Sequence, residues 1–393
     1  MTPTAPRISV IGAGPGGLTC ARALQRHGVQ VTVHELDASL DARPQGGTLD
    51  MHADSGQIAL EAAGLLDRFR TLARPAGQAK RGLTAQGEVV VDYRPDEDED
   101  GAPEIDRGQL RALLADALEP GTIRWGRKLA SITGDGDGTH RLLFEDGTTT
   151  HTDLVIGADG AWSKVRPLVS DATPRYTGVT FVEAWFHHVD RAHPAVATLV
   201  GDGHIFATGD SKGLIAQRNS GGRVCVYIGI RDEPDWQRAA GLDPADTEAV
   251  RATLLERFAG WDESLLPLIT DNDGPYVSRP LYAIPAPHFW PHSPGVTLLG
   301  DAAHLMTPFG GNGANYAMLD GAELALALAR HDDLDEAVTA YEKTMQTRAA
   351  DFGDGIEALH QAFAPGGLDR ADIPDFAQEK DDYRARAAAY RAT

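Results

Sequence analysis

Cysteine is nearly absent from this chain: Cys20 and Cys225 are the only two in 393 residues. They make no metal-ligand spacing, and one disulfide would add little to a core of this size. HExxH and CxxC are missing as well, so the common zinc signatures are excluded. No Ser-His-Asp or Cys-His arrangement can be read. No apolar run is long enough to cross a bilayer, and the opening "MTPTAPRISVIGAG" lacks a charged segment followed by a long apolar one. Basic residues are outnumbered, 36 Lys and Arg against 57 Asp and Glu, for a net charge of -21. That sign disfavours nucleic acid and anionic membrane surfaces as partners. The expectation is a cytoplasmic monomer with no nucleic-acid or membrane partner.

Apolar residues make up 42 % of the chain, enough for a large core and two domains. "RISVIG" reads as a buried strand and "AGPGGLTCARALQRHG" as a turn and a helix, with Leu18, Ala21 and Leu24 on one face. "VQVTVHE" is the next strand, which completes a βαβ unit and implies a parallel sheet. "ADSGQIALEAAGLLDRF" is expected as one helix capped by Asp54 or Ser55. "EIDRGQLRALLADALEPG" is expected as an amphipathic helix. "DEDED" at 96–100 reads as a solvated loop tip. Between about 176 and 284 the pattern alternates, as in antiparallel strands. "GVTLLGDAAH" restores the buried-strand pattern and should rejoin the first sheet. The fold class is therefore α/β: a Rossmann-like nucleotide-binding domain, a mainly antiparallel β substrate domain and C-terminal helices. The expected boundaries are 1–80, 103–175 and 285–330 for the first domain, 81–102 and 176–284 for the second, and 331–393 for the helices.

Three motifs carry the chemistry. "GAGPGG" places Gly12, Gly14 and Gly17 as G-x-G-x-x-G after a strand and at a helix start. Gly12 permits the tight turn, Gly14 the approach of a pyrophosphate, and Gly17 close helix–strand packing. Glu35, at the end of the next strand, suits the ribose hydroxyls of an adenosine. This leaves FAD and NAD(P) both open. "DLVIGADGAWSKVR" puts Asp159 and Gly160 at the carboxyl end of a strand, where ligands bind in such sheets. "GDAAHLMTPFGGNGAN" places Asp301 at another strand end. Gly310, Gly311 and Gly313 precede a helix expected to start near Asn315. A helix N-terminus carries about half a positive charge. It suits a flavin ring, while Asp301 suits the sugar-alcohol chain that FAD has and NAD lacks. The third motif selects FAD.

In this order the three motifs resemble the class A FAD-dependent monooxygenases of the p-hydroxybenzoate hydroxylase fold. "ARPQGGTLDMHADSGQIALEAAGLL", "PEIDRGQLRALLADAL" and "GDAAHLMTPF" are similar to the tetracycline-inactivating members. The similarity spans most of the chain and is loosest between about 176 and 290. It implies that Asp50, Arg107, Asp301, Gly313 and Asn315 attend FAD and that Arg43 meets NADPH. It also implies hydroxylation of, or oxygen insertion into, a polycyclic or polyketide-like molecule such as an antibiotic or its precursor, through a flavin hydroperoxide. Two alternatives share the same motifs: FAD kept for a non-redox cyclisation, and sequestration of a drug without turnover. Thr307-Pro308 and Asn312 depart from the family's last loop, which often has two prolines and a glutamine. The tetracycline-contacting positions fall on Glu183, His204 and Tyr227, of different residue types, which puts tetracycline itself in doubt. Trp185, Phe186, Phe206, Tyr227 and Phe309 are candidates for an apolar pocket wall, with His188, His204 and Gln217 as polar contacts. His304 is expected to be structural.

Overall fold

The computed structural model describes residues 5–136, 138–367 and 373–392; the expected domain ranges also include residues 1–4, 137, 368–372 and 393, which lie outside these. The strand Ile8–Ile11 is buried along its whole length. Pro15 starts the helix Pro15–Arg26, where a fixed φ and a missing N–H suit the first turn. Leu18, Ala21 and Leu24 are buried on its inner face. The helix stops at His27, and Gly28 turns the chain at φ +76°.

Five parallel strands form the first sheet, in the order Val296–Leu298, Leu154–Gly157, Ile8–Ile11, Val31–His34 and Ile123–Arg124. The late strand does rejoin the early ones. A hairpin turns at Asp146-Gly147 between His140–Phe144 and Thr149–Thr152, as its Asp-Gly predicts.

The second sheet has seven strands, ordered Val277–Ala283, Arg175–Phe186, Arg223–Arg231, Lys212–Asn219, His204–Gly209, Lys80–Thr84 and Val89–Tyr93. Its pairings are antiparallel except the one joining His204–Gly209 to Lys80–Thr84. One face packs Val182, Ala184, Phe186, Leu214 and Val226 against Val250, Leu254 and Phe258 of the helical segment around Thr247–Arg257. The other face carries Phe181, Ile215 and Tyr227.

Several local expectations change. The segment expected as one helix is two, Gly56–Ala62 and Leu66–Leu72, because Gly64 adopts φ +69° between them. Ser55 stands at the first helix's cap position but makes no capping hydrogen bond. "EIDRGQLRALL" divides into a strand, Glu104–Asp106, and a helix, Arg107–Ala115. The strand forms because Glu104–Asp106 pairs with Thr48–Asp50 in a ribbon between the sheets. The acidic run is solvated except at Glu99, which accepts from the Gly101 N–H at 2.7 Å and pairs with Arg384. The helix Phe376–Arg391 packs Tyr383 and Ala387 against Ala53, Ile58, Ala102 and Leu319.

Candidate active site

The three glycines of the first turn differ in what surrounds them. At Gly12 the backbone has φ +107°, and a Cβ there would lie 2.3 Å from the Ala158 carbonyl oxygen. A Cβ on Gly17 would lie 2.3 Å from the Gly12 oxygen and 3.1 Å from Val10 Cγ1. Around the same point on Gly14 there is no protein atom within 4 Å. Turn, packing and ligand approach are thus separated among the three. Gly14 also ends its segment in extended backbone, leaving the first N–H groups of the helix toward the open side.

Glu35 is buried beside this turn. Its Oε2 accepts from the Ala13 N–H at 2.6 Å and its Oε1 from the Asp37 N–H at 2.9 Å. A carboxylate has about four acceptor sites, so each oxygen keeps capacity for a ribose hydroxyl. Arg111 lies behind it, donating to the Ala13 carbonyl at 3.0 Å and to Asp37 Oδ2 at 3.1 Å. Its Nη2 is 3.6 Å from Glu35 Oε2. Sequence reasoning passed over Arg111. The available signal was an arginine on the apolar stripe beside Leu110 and Leu114. Arg43 also pairs with Asp37, at 3.2 Å, so its guanidinium sits at the Glu35 end of the cradle. Arg107 opens its helix with an exposed side chain, while its N–H donates to the Gly47 carbonyl at 3.0 Å.

The third motif meets the second at the same sheet edge. Arg166 is buried and joins them: it donates to the carbonyls of Ala161 at 2.9 Å, Asp301 at 3.0 Å and Ala302 at 2.8 Å. Asp159 is turned inward to close its own loop, accepting from Ser163 Oγ at 2.5 Å and the Lys164 N–H at 2.7 Å. Burial raises its pKa despite those bonds. Two of its acceptor positions therefore close the loop, and the side chain stays partly exposed at the strand end. The Asp301 carboxylate accepts no hydrogen bond from the described residues, although Asp301 begins a helical turn.

Gly310 and Gly311, at φ +87° and +67°, turn the chain into the helix Asn312–Arg330. The helix starts three residues earlier than expected because Gly311 supplies the left-handed cap. The Asp50 carboxylate fills the space over Gly311, 2.6 Å from where a Cβ would stand. It pairs with His52 at 3.2 Å and Lys80 at 3.9 Å. Burial works against the Asp50 charge, but His52 and Lys80 hold its pKa well below the usual carboxylate range. Gly313 is open, with Met306 Cγ the nearest atom at 3.9 Å from its Cβ position. Asn315 is fully buried and its amide is saturated. It accepts from the His52 and Gly56 N–H groups and donates to the Asp50 and Gly311 carbonyls. It is a clip that fixes the cradle, with no hydrogen bond left for a ligand.

These features fit a dinucleotide with a sugar-alcohol linker. The open Gly14, the spare acceptors of Glu35 and the unengaged Asp301 lie along one carboxyl edge of a parallel sheet, the usual ligand edge. Residues 6–268 and 290–354 match the FAD binding domain family. The chain belongs to the class A FAD-dependent monooxygenases. Among relatives of this monooxygenase, Monooxygenase penA of Penicillium thymicola is 33% identical, covering 87% of this chain and 92% of its own. HpxO of Klebsiella pneumoniae, solved with FAD and uric acid, superposes with a TM-score of 0.75 at 22% identity, over 98% of this chain and 93% of its own. The tetracycline destructase Tet(55) superposes with a TM-score of 0.72 at 21% identity, over 98% and 97%. At such identities the two structures speak for the fold alone.

The residues expected to line a substrate wall are placed in part elsewhere. Phe186 lies on the far face of the large sheet, in its core, because alternation turns it away from Trp185. His188 is exposed in a left-handed turn. His204 Nε2 lies 2.8 Å from Glu104 Oε1, and Trp185 donates to Glu183 at 2.9 Å. Phe206 faces Phe376 at 6.4 Å between centroids. Tyr227 and Gln217 do reach the first domain: a Cβ on Gly47 would be 2.5 Å from Gln217 Oε1 and 3.0 Å from the Tyr227 hydroxyl. Beside them Phe181, Phe309 and Phe363 form an aromatic cluster with Ile215, Tyr227 and Leu281. Phe363 follows the helix Ile356–Ala362 in the segment expected to be only C-terminal helices. A single buried phenylalanine in a helical tail has no sequence signal that separates it from ordinary core. His304 is structural, bonded to Asp320 at 2.6 Å.

Proposed function

We infer that this monooxygenase takes electrons from NADPH and hydroxylates, or inserts oxygen into, a flat aromatic or polycyclic molecule of polyketide-like character; antibiotics and their precursors belong to that class. The observation that carries this is the aromatic cluster. Phe181 lies 5.6 Å from Tyr227 and 6.1 Å from Phe363, and Phe363 lies 6.2 Å from Phe309, between ring centroids. Phe309 belongs to the loop that ends at Gly311, so these rings adjoin the cofactor cradle. Phe181 and Phe363 are buried behind the partly exposed rings of Phe309 and Tyr227, and that face suits a planar apolar ligand, with Gln217 and the Tyr227 hydroxyl as two polar points for orientation.

FAD, once bound and reduced, supplies the activation of molecular oxygen. The chain supplies placement and exclusion. Asp301 accepts hydrogen bonds from the hydroxyls of the linker, and Glu35 accepts those of the ribose. Gly14 admits the pyrophosphate to the N–H groups of the helix that follows. The positive end of the Asn312–Arg330 helix favours negative charge at the ring. The phenylalanines keep water from the reacting oxygen. Arg43, exposed at the rim and shared with Asp37, is open to an anionic group of NADPH, and the exposed Arg107 to FAD.

The test is NADPH consumption under air with purified FAD-loaded protein and a panel of phenolic and polycyclic polyketide compounds. The expected result is substrate-stimulated NADPH oxidation and a product gaining one oxygen atom from labelled O2. Product formed without air and without NADPH would overturn the reading.

A further inference from the structure

Asp301 can serve FAD only if its short loop is held still, and among the described residues its side chain makes no bond that would hold it. The loop is gripped instead through its backbone. On one side Arg166 takes the carbonyls of Asp301 and Ala302. On the other, Asp320 Oδ2 accepts from the Gly300 N–H at 2.9 Å and meets His304 Nε2 at 2.6 Å, so it clamps both ends of the Gly300–His304 turn. Gly300 needs that clamp, since it holds φ +59° against Ala317.

Asp320 is fully buried and cannot stand alone as an anion. Its other oxygen, Oδ1, accepts from Arg348 Nη2 at 2.7 Å. Arg348 comes from the following helix, Leu334–Phe352, and also pairs with Glu323 at 2.8 Å. We propose that Arg348 is a positioning residue for FAD: it fixes Asp320, which fixes the Gly300–His304 turn and hence the Asp301 carboxylate. The proposal rests on Asp301 as the contact to the cofactor's linker. Arg348 also meets Glu323 and lies 5.8 Å from the Tyr316 ring centroid, but of these groups it is Asp320 that bonds the Gly300–His304 turn.

The experiment uses the FAD-loaded protein and four variants: Arg348→Met, Arg348→Lys, Glu323→Gln and Asp301→Ala. FAD release is followed by its fluorescence on dilution, and hydrogen exchange is read for peptides covering 298–305 and 8–18. Arg348→Met is expected to speed release about tenfold, the factor for one lost charge-assisted hydrogen bond, and to speed exchange in 298–305 only. Arg348→Lys should restore most of the difference, since an ammonium still reaches Asp320. Glu323→Gln removes the other ion pair and should change release less than about twofold. Wild-type release from the Arg348→Met protein, with fast release from Asp301→Ala, overturns the role of Arg348 alone. Wild-type release from Asp301→Ala overturns the underlying reading of Asp301. Loosening spread equally over both peptides assigns Arg348 to general stability and also overturns the proposal.

Discussion

Replacing each glycine of the first turn by alanine separates folding from cofactor binding. At Gly14 the backbone sits at φ -78°, ψ 175°, which alanine adopts without strain, and the new methyl meets no protein atom within 4 Å. Two small effects oppose each other in the protein without cofactor. Alanine lowers the entropy of the unfolded chain, a gain of about 0.4–1 kcal/mol. As a helix cap it is poorer than glycine by a similar amount. The melting temperature of the FAD-free Gly14→Ala protein should therefore stay within about 2 °C of the parent. The methyl does, however, occupy the side from which the pyrophosphate approaches. Two or three backbone hydrogen bonds to phosphate weakened together amount to about 3 kcal/mol, a loss of about a hundredfold in FAD affinity. Excess FAD then stabilises the variant by about 2.7 kcal/mol less than the parent, by mass action. Gly17→Ala should behave oppositely. Its methyl would press on the Gly12 oxygen and on Val10, so the FAD-free protein itself should lose about 1–3 kcal/mol. The assays are melting curves with and without FAD and the ratio of flavin to protein absorbance. A Gly14→Ala protein that purifies fully yellow and gains the parent's full stabilisation from FAD would refute the placement of the phosphates.

Three further outcomes follow from the geometry. Arg111→Met leaves the buried Glu35 and Asp37 carboxylates without their inner cation, so unfolding in urea should show a loss of about 3 kcal/mol; a loss below about 1 kcal/mol would contradict the role of Arg111. Phe309→Ala should raise the KM of an aromatic substrate about tenfold with flavin content unchanged, as expected for lost uniform binding, and an unaltered KM would remove Phe309 from the pocket. Burial opposes charge at both His304 and Asp320, but their pairing prevails, raising the pKa of His304 and lowering that of Asp320. The Asp320 contribution is present above the unfolded carboxylate value of about 3.9 and is lost as pH falls through the lower folded value. The His304 contribution is present below the unfolded imidazole value of about 6.5 and is lost as pH rises through the higher folded value. Stability from this pair should thus peak between about pH 4 and 6.5, and Asp320→Asn should flatten both limbs of the stability profile; an unchanged profile would exclude the pair as their source.

The parts of the molecule that could be read in advance are those whose requirements are local. Gly12, Gly14 and Gly17 answer to φ and to atoms a few residues away, so their spacing is their meaning. The hairpin at Asp146-Gly147 and the buried strands ending at Gly157 and just before Gly300 are of the same kind. Asp301 could be named because a strand end followed by a glycine turn is a local pattern with one usual ligand edge. The single expected helix failed at Gly64 because a left-handed glycine can sit inside an apolar periodicity without disturbing it. Glu104–Asp106 failed because pairing with Thr48–Asp50 across more than fifty residues outweighed helical propensity.

The choice among chemically similar side chains was left to the tertiary structure. Arg43, Arg107 and Arg111 look alike in sequence, yet one pairs with Asp37 at the rim, one opens a helix with its side chain exposed and one is buried beside Glu35. Asn315 spends its whole amide on protein groups, and Asp159 spends two acceptor positions on its own loop. Phe181 and Phe363 meet only because a sheet strand and a helix nearly two hundred residues apart converge beside Phe309. Local sequence sets backbone conformation and periodicity; which buried charge finds which partner depends on desolvation in the assembled core, where an unpaired group costs too much to remain.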